Sequence, residues 1–247
     1  MNSPRPRPTL RIGTAGWAIP RAVADSFPTE GSGLGRYAGR FDAAEINSSF
    51  HRAHRPATYE RWAASTPAGF RFSAKIPKTI THQRRLVGAE DDLARFLDEV
   101  SALGAKIGPL IVQLPPTLVC DEPVVAGFFA AFRTRWTGAI ACEPRHPSWF
   151  AEPAEALLRA HEVARVGADP ARVPEAAEPG GWEGYRYTRL HGSPRMYYSP
   201  YEPDQITRLA ARLASASVET WCMFDNTASG AAAANALELV AALDISS

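Results

Sequence analysis

Two patterns of hydrophobic and polar positions alternate along the chain: short runs rich in β-forming residues, and longer segments with the spacing of amphipathic helices. The short runs predict eight strands, at residues 10–16, 43–47, 70–76, 109–114, 138–143, 163–168, 185–192 and 220–225. Helical spacing is clear in EDDLARFLDEVSALG, where one face carries Leu93, Phe96, Leu97, Val100 and Leu103. Strands that alternate with helices predict a parallel sheet, because parallel neighbours need crossover connections.

Eight such units in about 250 residues predict an α/β fold, a single-domain TIM-type (β/α)₈ barrel over residues 10–247. The alternative is an open, doubly wound sheet. Residues 170–184, PARVPEAAEPGGWEG, are too rich in proline and glycine for a regular helix, so we expect the barrel to be irregular after its sixth strand. Residues 1–9, MNSPRPRPT, have no apolar core and are expected to form a flexible N-terminal tail.

The composition restricts the class of protein. The chain has 247 residues, 45% of them hydrophobic, and a formal net charge of +1, so its overall charge does not favour binding to nucleic acid or to an anionic membrane. Its three cysteines, Cys120, Cys142 and Cys222, are widely spaced, which disfavours a disulfide framework or a structural zinc site and favours a cytoplasmic location. The sequence has no run of about 18 apolar residues, so we expect no membrane span.

Polar residues lie in or directly after the C-terminal ends of seven of the eight predicted strands, where barrel enzymes have their active sites. From the second strand to the eighth they are Glu45 and Asn47, Lys75, Gln113, Glu143 with Arg145 and His146, Asp169, Arg189 with His191, and Asp225 with Asn226. Polar residues at strand ends are common in any fold. Glu45, Lys75 and Arg189, however, lie within apolar runs, where an unpaired charge costs several kcal/mol. We therefore expect these charges to pair across the mouth of the barrel and to form a functional site.

Seven sequence blocks, in order, resemble a known family. They include IGTAGW, EINSSF, GPLIVQLPP, EPRHPSWF and RLHGSPRMYYSPY, and the set runs from about residue 11 to residue 243. The set is similar to the YecE-like proteins, also called domain of unknown function 72. The resemblance implies a β/α-barrel fold and no particular activity. At His51, directly after EINSSF, similar sequences usually have tyrosine, so we expect no role that needs a phenol there.

The loops after the last two predicted strands suggest an anion site. HGSPR follows the seventh strand, and DNTASGA follows the eighth and leads into an alanine-rich helix. In many barrels these two loops bind phosphate through backbone N–H groups and the positive end of a helix dipole. The residues expected to bind it are Gly192, Asn226, Thr227, Ser229 and Gly230. In the alternative interpretation, Thr227 or Ser229 merely caps the last helix.

Two carboxylates are the candidates for proton transfer. Glu45 and Glu143 belong to strands two and five, which are separated enough around a barrel for the two side chains to flank one substrate. His146 and His191 can share the proton work, because the pKa of histidine lies nearest neutrality. Lys75 can form a Schiff base if it is desolvated. The preferred interpretation of Lys75 is an ion pair with Glu45.

A divalent metal is a less favoured alternative, and any other cofactor is unknown. Carboxylate and imidazole groups suit Mg²⁺, Mn²⁺ or Zn²⁺, and the side chains able to supply them are Glu45, Glu143, His191 and Asp225. No HxH or HExxH spacing supports such a site.

The leading hypothesis is an enzyme that acts by acid–base chemistry on a small, anionic, phosphorylated or sugar-like substrate at the mouth of the barrel. Its candidate catalytic residues are Glu45, Lys75, Glu143 and His191. Its candidate binding residues are Asn47, Gln113, Arg145, His146, Arg189, Gly192, Asn226, Thr227, Ser229 and Gly230. The alternatives are a non-catalytic barrel that binds nucleic acid or a protein through its aromatic and arginine side chains, and a metal-dependent hydrolase or isomerase.

Overall fold

Ten strands of one sheet form the barrel in the computed structural model, which describes residues 8–245. In chain order they are β1 (Leu10–Ala15), β2 (Ala43–Ile46), β3 (Arg71–Lys75), β4 (Ile107–Gln113), β5 (Ile140–Glu143), β6 (Val163–Arg165), β7 (Gly167–Asp169), β8 (Gly180–Gly181), β9 (Arg186–Leu190) and β10 (Thr220–Phe224). Each of the eight predicted strands is present. The sixth is divided at Val166 into β6 and β7, and β8 is additional.

Parallel pairing carries the sheet round the barrel in the order β7–β9–β10–β1–β2–β3–β4–β5–β6. β6 pairs with β5, whereas β7, the next stretch of the same chain, pairs with β9. The bent sixth strand therefore brings the two ends of the sheet together, and the barrel is nearly closed. This confirms the TIM-type (β/α)₈ barrel, and the open, doubly wound alternative is wrong.

Seven α-helices lie within residues 8–245. They are α1 (Gly33–Ala38), α2 (Pro56–Ala64), α3 (Glu90–Val100), α4 (Glu122–Arg135), α5 (Glu152–Ala160), α6 (Pro203–Ala214) and α7 (Ala231–Ile245). The apolar face predicted for α3 is buried. Asp121 caps α4, because its carboxylate accepts a hydrogen bond from the N–H of Val124 at 3.3 Å.

The segment between β7 and β9 has no α-helix in the part of the chain that the structure describes. It forms a short 3₁₀ turn at Pro174–Ala177 and the two-residue strand β8, which pairs antiparallel with β6. Proline lacks the N–H that a helix needs, and glycine loses more conformational freedom than other residues when it is fixed in one. The irregularity expected after the sixth strand is confirmed.

Successive side chains along each strand point alternately into the barrel and outward, so the sheet has an inner and an outer face. Outward side chains such as Ile46, Val112 and Phe224 belong to the large core between strands and helices. Inward side chains form a second apolar cluster: Ala43, Ile111, Ala141, Ala164, Val166, Tyr185, Tyr187, Trp221 and Met223. Two residues further along five of these strands, the inward positions carry Glu45, Gln113, Glu143, Arg189 and Asp225. The fold thus places charged and polar side chains directly above an apolar floor.

The helices and the N-terminal residues bear on two expectations, the absence of a membrane span and a flexible tail. None of the helices within residues 8–245 is long and apolar enough to cross a membrane. Residues 1–7, most of the predicted N-terminal tail, lie outside the described residues. The division of the chain into a tail at residues 1–9 and one barrel domain at residues 10–247 stays a prediction.

Gly13 in β1 leaves no room for a side chain. A Cβ atom at this position would lie 2.0 Å from the carbonyl oxygen of Ala43 on the neighbouring strand. We expect Gly13→Ala to lower the free energy of unfolding by about 3 kcal/mol or more, because two hydrogen-bonded strands would have to separate. The control is Gly127→Ala in α4, where nothing lies within 4 Å of the added methyl group. It should raise stability by up to about 1 kcal/mol. Urea unfolding measures both, and an unchanged Gly13 variant would contradict the expectation.

Candidate active site

The guanidinium of Arg189 is the centre of the charged layer. Its side chain is fully buried near the C-terminal end of β9. Nε and Nη2 donate to the two carboxylate oxygens of Glu45 at 3.0 and 2.7 Å. Nη1 donates to Glu143 at 2.5 Å, and Nη2 also donates to Asp225 at 2.9 Å. One cation therefore pairs with carboxylates at the C-terminal ends of three other strands, and the pairing expected across the barrel is confirmed.

Two further side chains, one of histidine and one of arginine, contact the same carboxylates. His191 lies between Asp225, 3.0 Å from its Nδ1, and Glu143, 3.2 Å from its Nε2. Arg145 approaches Glu143 from the mouth of the barrel, with 2.8 Å between Nη2 and Oε1. Three carboxylates thus face Arg189, Arg145 and His191, and these side chains form the network referred to below as the ionic network.

Glu45 is also held from the apolar floor. The hydroxyl of Tyr187 donates to Glu45 Oε2 at 2.9 Å and lies 2.7 Å from the hydroxyl of Ser73. Burial, and next the charge of Glu45, raise the pKa of Tyr187 well above its usual range, so the phenol remains a neutral donor. Both oxygens of Glu45 therefore have partners inside the barrel.

The pairing decides the charge states of the ionic network. Burial acts to raise the pKa of Glu143, but the charges of Arg189, Arg145 and His191 hold it well below its usual range. Burial acts in the same way on Asp225, and Arg189 and His191 lower the pKa of that carboxyl. Burial acts to lower the pKa of His191, but Glu143 and Asp225 raise it. Both carboxyl groups are therefore ionised, and His191 holds its proton more firmly than a free histidine.

An open cleft of about 430 Å³ lies at the C-terminal mouth of the barrel, next to the ionic network. Its lining side chains are Asn47, Phe50, His51, Lys75, Lys78, His82, Gln113, Arg145, Tyr197 and Asp225. Four of the candidate residues from the sequence face this cleft, namely Asn47, Lys75, Gln113 and Arg145. Four others, Glu45, Glu143, Arg189 and His191, lie together in the buried network and do not line it.

Lys75 has a different partner from the one expected. Within residues 8–245 its ammonium group makes no hydrogen bond or ion pair, and it lies 3.8 Å from the centre of the Phe50 ring. The interpretation of Lys75 as the ion-pair partner of Glu45 is wrong, because Arg189 and Tyr187 take the oxygens of that carboxylate. Burial, and next the charge of Arg189, lower the pKa of Lys75 to about 8. Lys75 therefore faces the cleft as an amine that can lose its proton near neutral pH.

The turn after β10 uses its hydrogen-bond donors within the protein. The N–H of Ala228 and the hydroxyl of Ser229 donate to carbonyl groups of the loop after β9, at 3.0 and 2.5 Å. The N–H of Gly230 donates to the carbonyl of Thr227 at 3.1 Å, and the N–H of Gly192 donates to a tyrosine hydroxyl at 2.9 Å. These contacts join the last two loops to each other, and binding of phosphate by this turn stays a prediction.

Two further candidates serve the local structure. Asn226 is fully buried, and its amide donates to the carbonyl of Ser199 and to the side chain of Asn235, both at 3.0 Å. His146 Nδ1 accepts from the N–H of Ser148 at 3.2 Å and so caps the 3₁₀ turn Pro147–Phe150. Neither side chain lines the cleft, and a role for either in substrate binding stays a prediction.

Lys78 and His82 line the cleft, although the sequence analysis gives them no role. They follow Lys75 by three and seven residues, and residues Thr79–Gln83 form one π-helical turn. Lys78 directly precedes this turn and His82 lies within it, four residues further on, whereas Lys75 is the last residue of β3. The signal in the sequence is therefore the position of both residues in KIPKTITH, the segment that begins at the strand end carrying Lys75.

The metal alternative fits the geometry poorly. Within residues 8–245, no group of three or more histidine, cysteine, aspartate or glutamate side chains is arranged to hold a metal ion. Glu45, Glu143 and Asp225 do converge, but Arg189 occupies the position between them. A divalent cation would have to displace a buried cation that already pairs with all three carboxylates.

Comparison with known proteins identifies relatives of the chain. The family described as “Protein of unknown function DUF72” matches residues 11–247. The UPF0759 protein YecE of Escherichia coli strain K12 is 32% identical over 147 residues, which are 59% of this chain and 52% of that protein. The chain thus spans about half the length of the curated relatives it matches.

Solved structures have the same barrel. A DUF72 family protein from Enterococcus faecalis V583 is similar with a TM-score of 0.78 at 19% identity, over 96% of each chain. A DUF72 family protein from Thermotoga maritima MSB8 has a TM-score of 0.76 at 22% identity, over 96% of this chain and 99% of that chain. The 3-keto-D-glucoside 4-epimerase YcjR from E. coli is more distant, with a TM-score of 0.51 at 13% identity, over 96% and 99% of the chains. At these identities the likeness concerns the fold alone.

The ionic network makes a strong prediction about Arg189. Arg189→Met keeps much of the side-chain volume but leaves three buried carboxylates without their shared cation. We expect the free energy of unfolding to fall by about 3–5 kcal/mol, as when one partner of a buried pair is removed. The control is Arg208→Ala, which removes an exposed ion pair with Asp204 in α6 and should cost less than about 1 kcal/mol. Denaturant unfolding compares the two, and similar stabilities for both variants would refute the central role of Arg189.

Proposed function

The chain belongs to the DUF72 family of proteins of unknown function, and from that premise we propose that it is an enzyme acting by acid–base chemistry on a small polar anion at the C-terminal mouth of its barrel. A phosphorylated or carboxylated sugar-like molecule fits this cleft best. The observation that carries the proposal is the buried ionic network next to an open cleft lined by cations.

Filling the interior of a barrel with ion pairs costs free energy, because the charged groups lose their contact with water. The layer directly below the ionic network is apolar, and replacing buried ion pairs by apolar groups of similar volume is often neutral or stabilising by about 1–4 kcal/mol. The network does, however, fix Asp225 and Arg145 at the edge of the cleft, each through contacts to more than one group. Fixed charges beside a cleft reduce the reorganisation needed when charge develops on a substrate, which supports a catalytic role.

The charges that face the cleft favour an anionic ligand. Lys75, Lys78 and Arg145 line it, and among its lining residues Asp225 is the one carboxylate. The charge of Asp225 is already balanced by Arg189 and His191, so Lys75 and Lys78 remain available to a ligand. Arg145 is paired with Glu143 through Nε and Nη2, and within residues 8–245 its Nη1 makes no hydrogen bond to the protein. Arginine presents a planar set of donors that suits phosphate or carboxylate. The amides of Asn47 and Gln113 add groups that can bind substrate hydroxyls.

In this proposal the cations of the cleft, and not the turn after β10, bind the anionic group. The hydroxyl of Ser229 and the N–H groups of Gly192 and Gly230 already donate to groups of the protein. Binding an anion there would require these contacts to break, whereas the ammonium groups of Lys75 and Lys78 make no hydrogen bonds within residues 8–245. We therefore assign the anionic group of the substrate to the lysine side of the cleft.

Asp225 is the base in this proposal. Its carboxylate faces the cleft, and Arg189 and His191 keep it ionised and fixed in place. It can accept a proton from a bound substrate and return it, as a general base does. Glu45 and Glu143 act through Arg189 and Arg145 and are positioning residues.

Anion binding is tested by thermal unfolding in the presence of inorganic phosphate, fructose 6-phosphate and fructose. We expect the two phosphates to raise the Tm and fructose to have little effect. Lys78→Ala removes one charge-assisted contact and should weaken phosphate binding roughly tenfold or more. The control is Arg195→Ala, an exposed cation outside the cleft, which should bind as the wild type does. If neither inorganic phosphate nor the sugar phosphate stabilised the protein, the proposed substrate class would be wrong.

Proton transfer is tested by exchange of substrate hydrogens with solvent. The wild-type protein is incubated in D₂O with fructose 6-phosphate, and the C–H signals next to the carbonyl group are followed by NMR. We expect enzyme-dependent loss of one signal, and a rate at least about 100-fold lower for Asp225→Asn, the typical contribution of a general base. Asp204→Asn, which changes an exposed carboxylate on α6, is the matched control. A compound that stabilises the protein but exchanges equally in both variants would rule out Asp225 as the base.

A further inference from the structure

We propose that Lys75 forms an imine with the carbonyl carbon of the substrate, so that the cleft takes an anionic aldehyde or ketone. This inference rests on the proposed function and deepens it, because it names the covalent step and the functional group that the substrate must carry. It depends on the use of lysine in this chain, on the surroundings of Lys75, and on the weakness of the proposed base.

The chain uses arginine almost everywhere that it needs a cation. It has 24 arginines and three lysines, Lys75, Lys78 and Lys106. Two of the three lysines line the same cleft. Arginine stays protonated in proteins, whereas the amine of lysine can lose its proton and act as a nucleophile. Lysine in this cleft therefore offers a chemical property, a titratable amine, that arginine at the same positions would not have.

The third lysine shows how a structural lysine differs from Lys75. The ammonium group of Lys106 donates to the carbonyls of Ala63 and Thr66 and to the hydroxyl of Thr66, so all three of its hydrogens have acceptors. Lys75 is 7% exposed and has no hydrogen-bond acceptor within residues 8–245. Its Nζ lies over the Phe50 ring and faces the cleft.

This environment favours the neutral amine. Burial removes water from the ammonium group, and a charged group without hydrogen-bond acceptors is costly to desolvate. The result is a pKa of about 8, so an appreciable fraction of Lys75 is unprotonated near neutral pH. The nearby Lys78 and Arg145 remain to hold the anionic group of the substrate while the amine reacts.

The covalent step is balanced without any further reactant. The lone pair of Lys75 Nζ attacks the carbonyl carbon, a C–N bond forms, and the electrons of the C=O π bond move to oxygen. The carbon–oxygen bond then breaks, and both hydrogens of the amine leave with that oxygen as water. The product is a C=N bond between Lys75 and the substrate, and hydrolysis reverses the step.

An imine also compensates for the weak basicity of Asp225, because it makes the neighbouring C–H group of the substrate more acidic. Asp225 is held ionised by Arg189 and His191, which makes its carboxylate a weak base. Removal of a proton next to an ordinary carbonyl group is difficult for such a base. Protonation of the imine nitrogen withdraws electrons from the neighbouring carbon, and the proton there becomes easier to remove. The weak base and the nucleophilic amine therefore complement each other across one cleft.

Reductive trapping tests the imine, with pyridoxal 5′-phosphate as a phosphorylated aldehyde probe and pyridoxal as its unphosphorylated match. Each is incubated with the full chain, sodium borohydride is added, and the labelled peptides are identified by mass spectrometry. We expect Lys75 to be labelled at least tenfold faster than Lys78 or Lys106, the phosphorylated probe to be preferred, and inorganic phosphate to compete. Lys75→Arg should lose this label, whereas Lys106→Arg, outside the cleft, should retain it.

The possible results separate the imine from the proposed function. Equal labelling of the three lysines, or no label at Lys75 although the phosphorylated probe raises the Tm, would overturn the imine and leave anion binding intact. If the probe neither raised the Tm nor labelled Lys75, both proposals would fail. The relative labelling of the three lysines is measured on the wild-type protein. The result therefore does not depend on whether the Lys75→Arg variant folds.

Discussion

A guanidinium without access to water must be surrounded by anions, and this requirement at Arg189 organises the mouth of the barrel. Its nitrogens are shared among Glu45, Glu143 and Asp225, which lie at the C-terminal ends of strands β2, β5 and β10. Removing any of these groups would leave an uncompensated charge in the interior. The ends of four strands are therefore tied to one point by contacts that cannot be weakened singly. These contacts hold the side chains around Arg189 in fixed positions, directly above the apolar floor.

The same constraint decides which charges are available to a ligand. The carboxylates of Glu45, Glu143 and Asp225 are balanced by Arg189, Arg145 and His191, so the ionic network has little charge to offer to the cleft. Lys75 and Lys78 stand outside this balance. Their positive charge is what an approaching molecule meets, although the chain as a whole has a net charge of +1. Overall charge is thus a poor guide to a local site when most charges are paired with each other.

The sequence allows the layers of this barrel to be predicted but not the pairing within them. A period of two puts Glu45, Glu143 and Arg189 on the inner face, and their position within apolar runs means that they must be paired. Which cation meets which carboxylate depends on the stagger of strands far apart in sequence, and local patterns carry no information about it. For this reason the predicted ion pair between Lys75 and Glu45 is wrong. The bend at Val166 escaped prediction on similar grounds, because β6 and β7 are divided by pairing with different neighbours and not by their composition.

The ionisation of the network also decides between two kinds of chemistry that the sequence leaves open. Two carboxylates that act on a glycosidic bond need one of them to be protonated, and therefore to have a raised pKa. Glu143 has the opposite shift, and its oxygens are occupied by Arg189 and Arg145. Among the groups that line the cleft, the amine of Lys75 has a pKa lowered to about 8 and lies over the Phe50 ring, without a hydrogen-bond partner within residues 8–245. Amines react with carbonyl groups and not with glycosidic oxygens, so the position of Lys75 in the cleft agrees with the proposed imine.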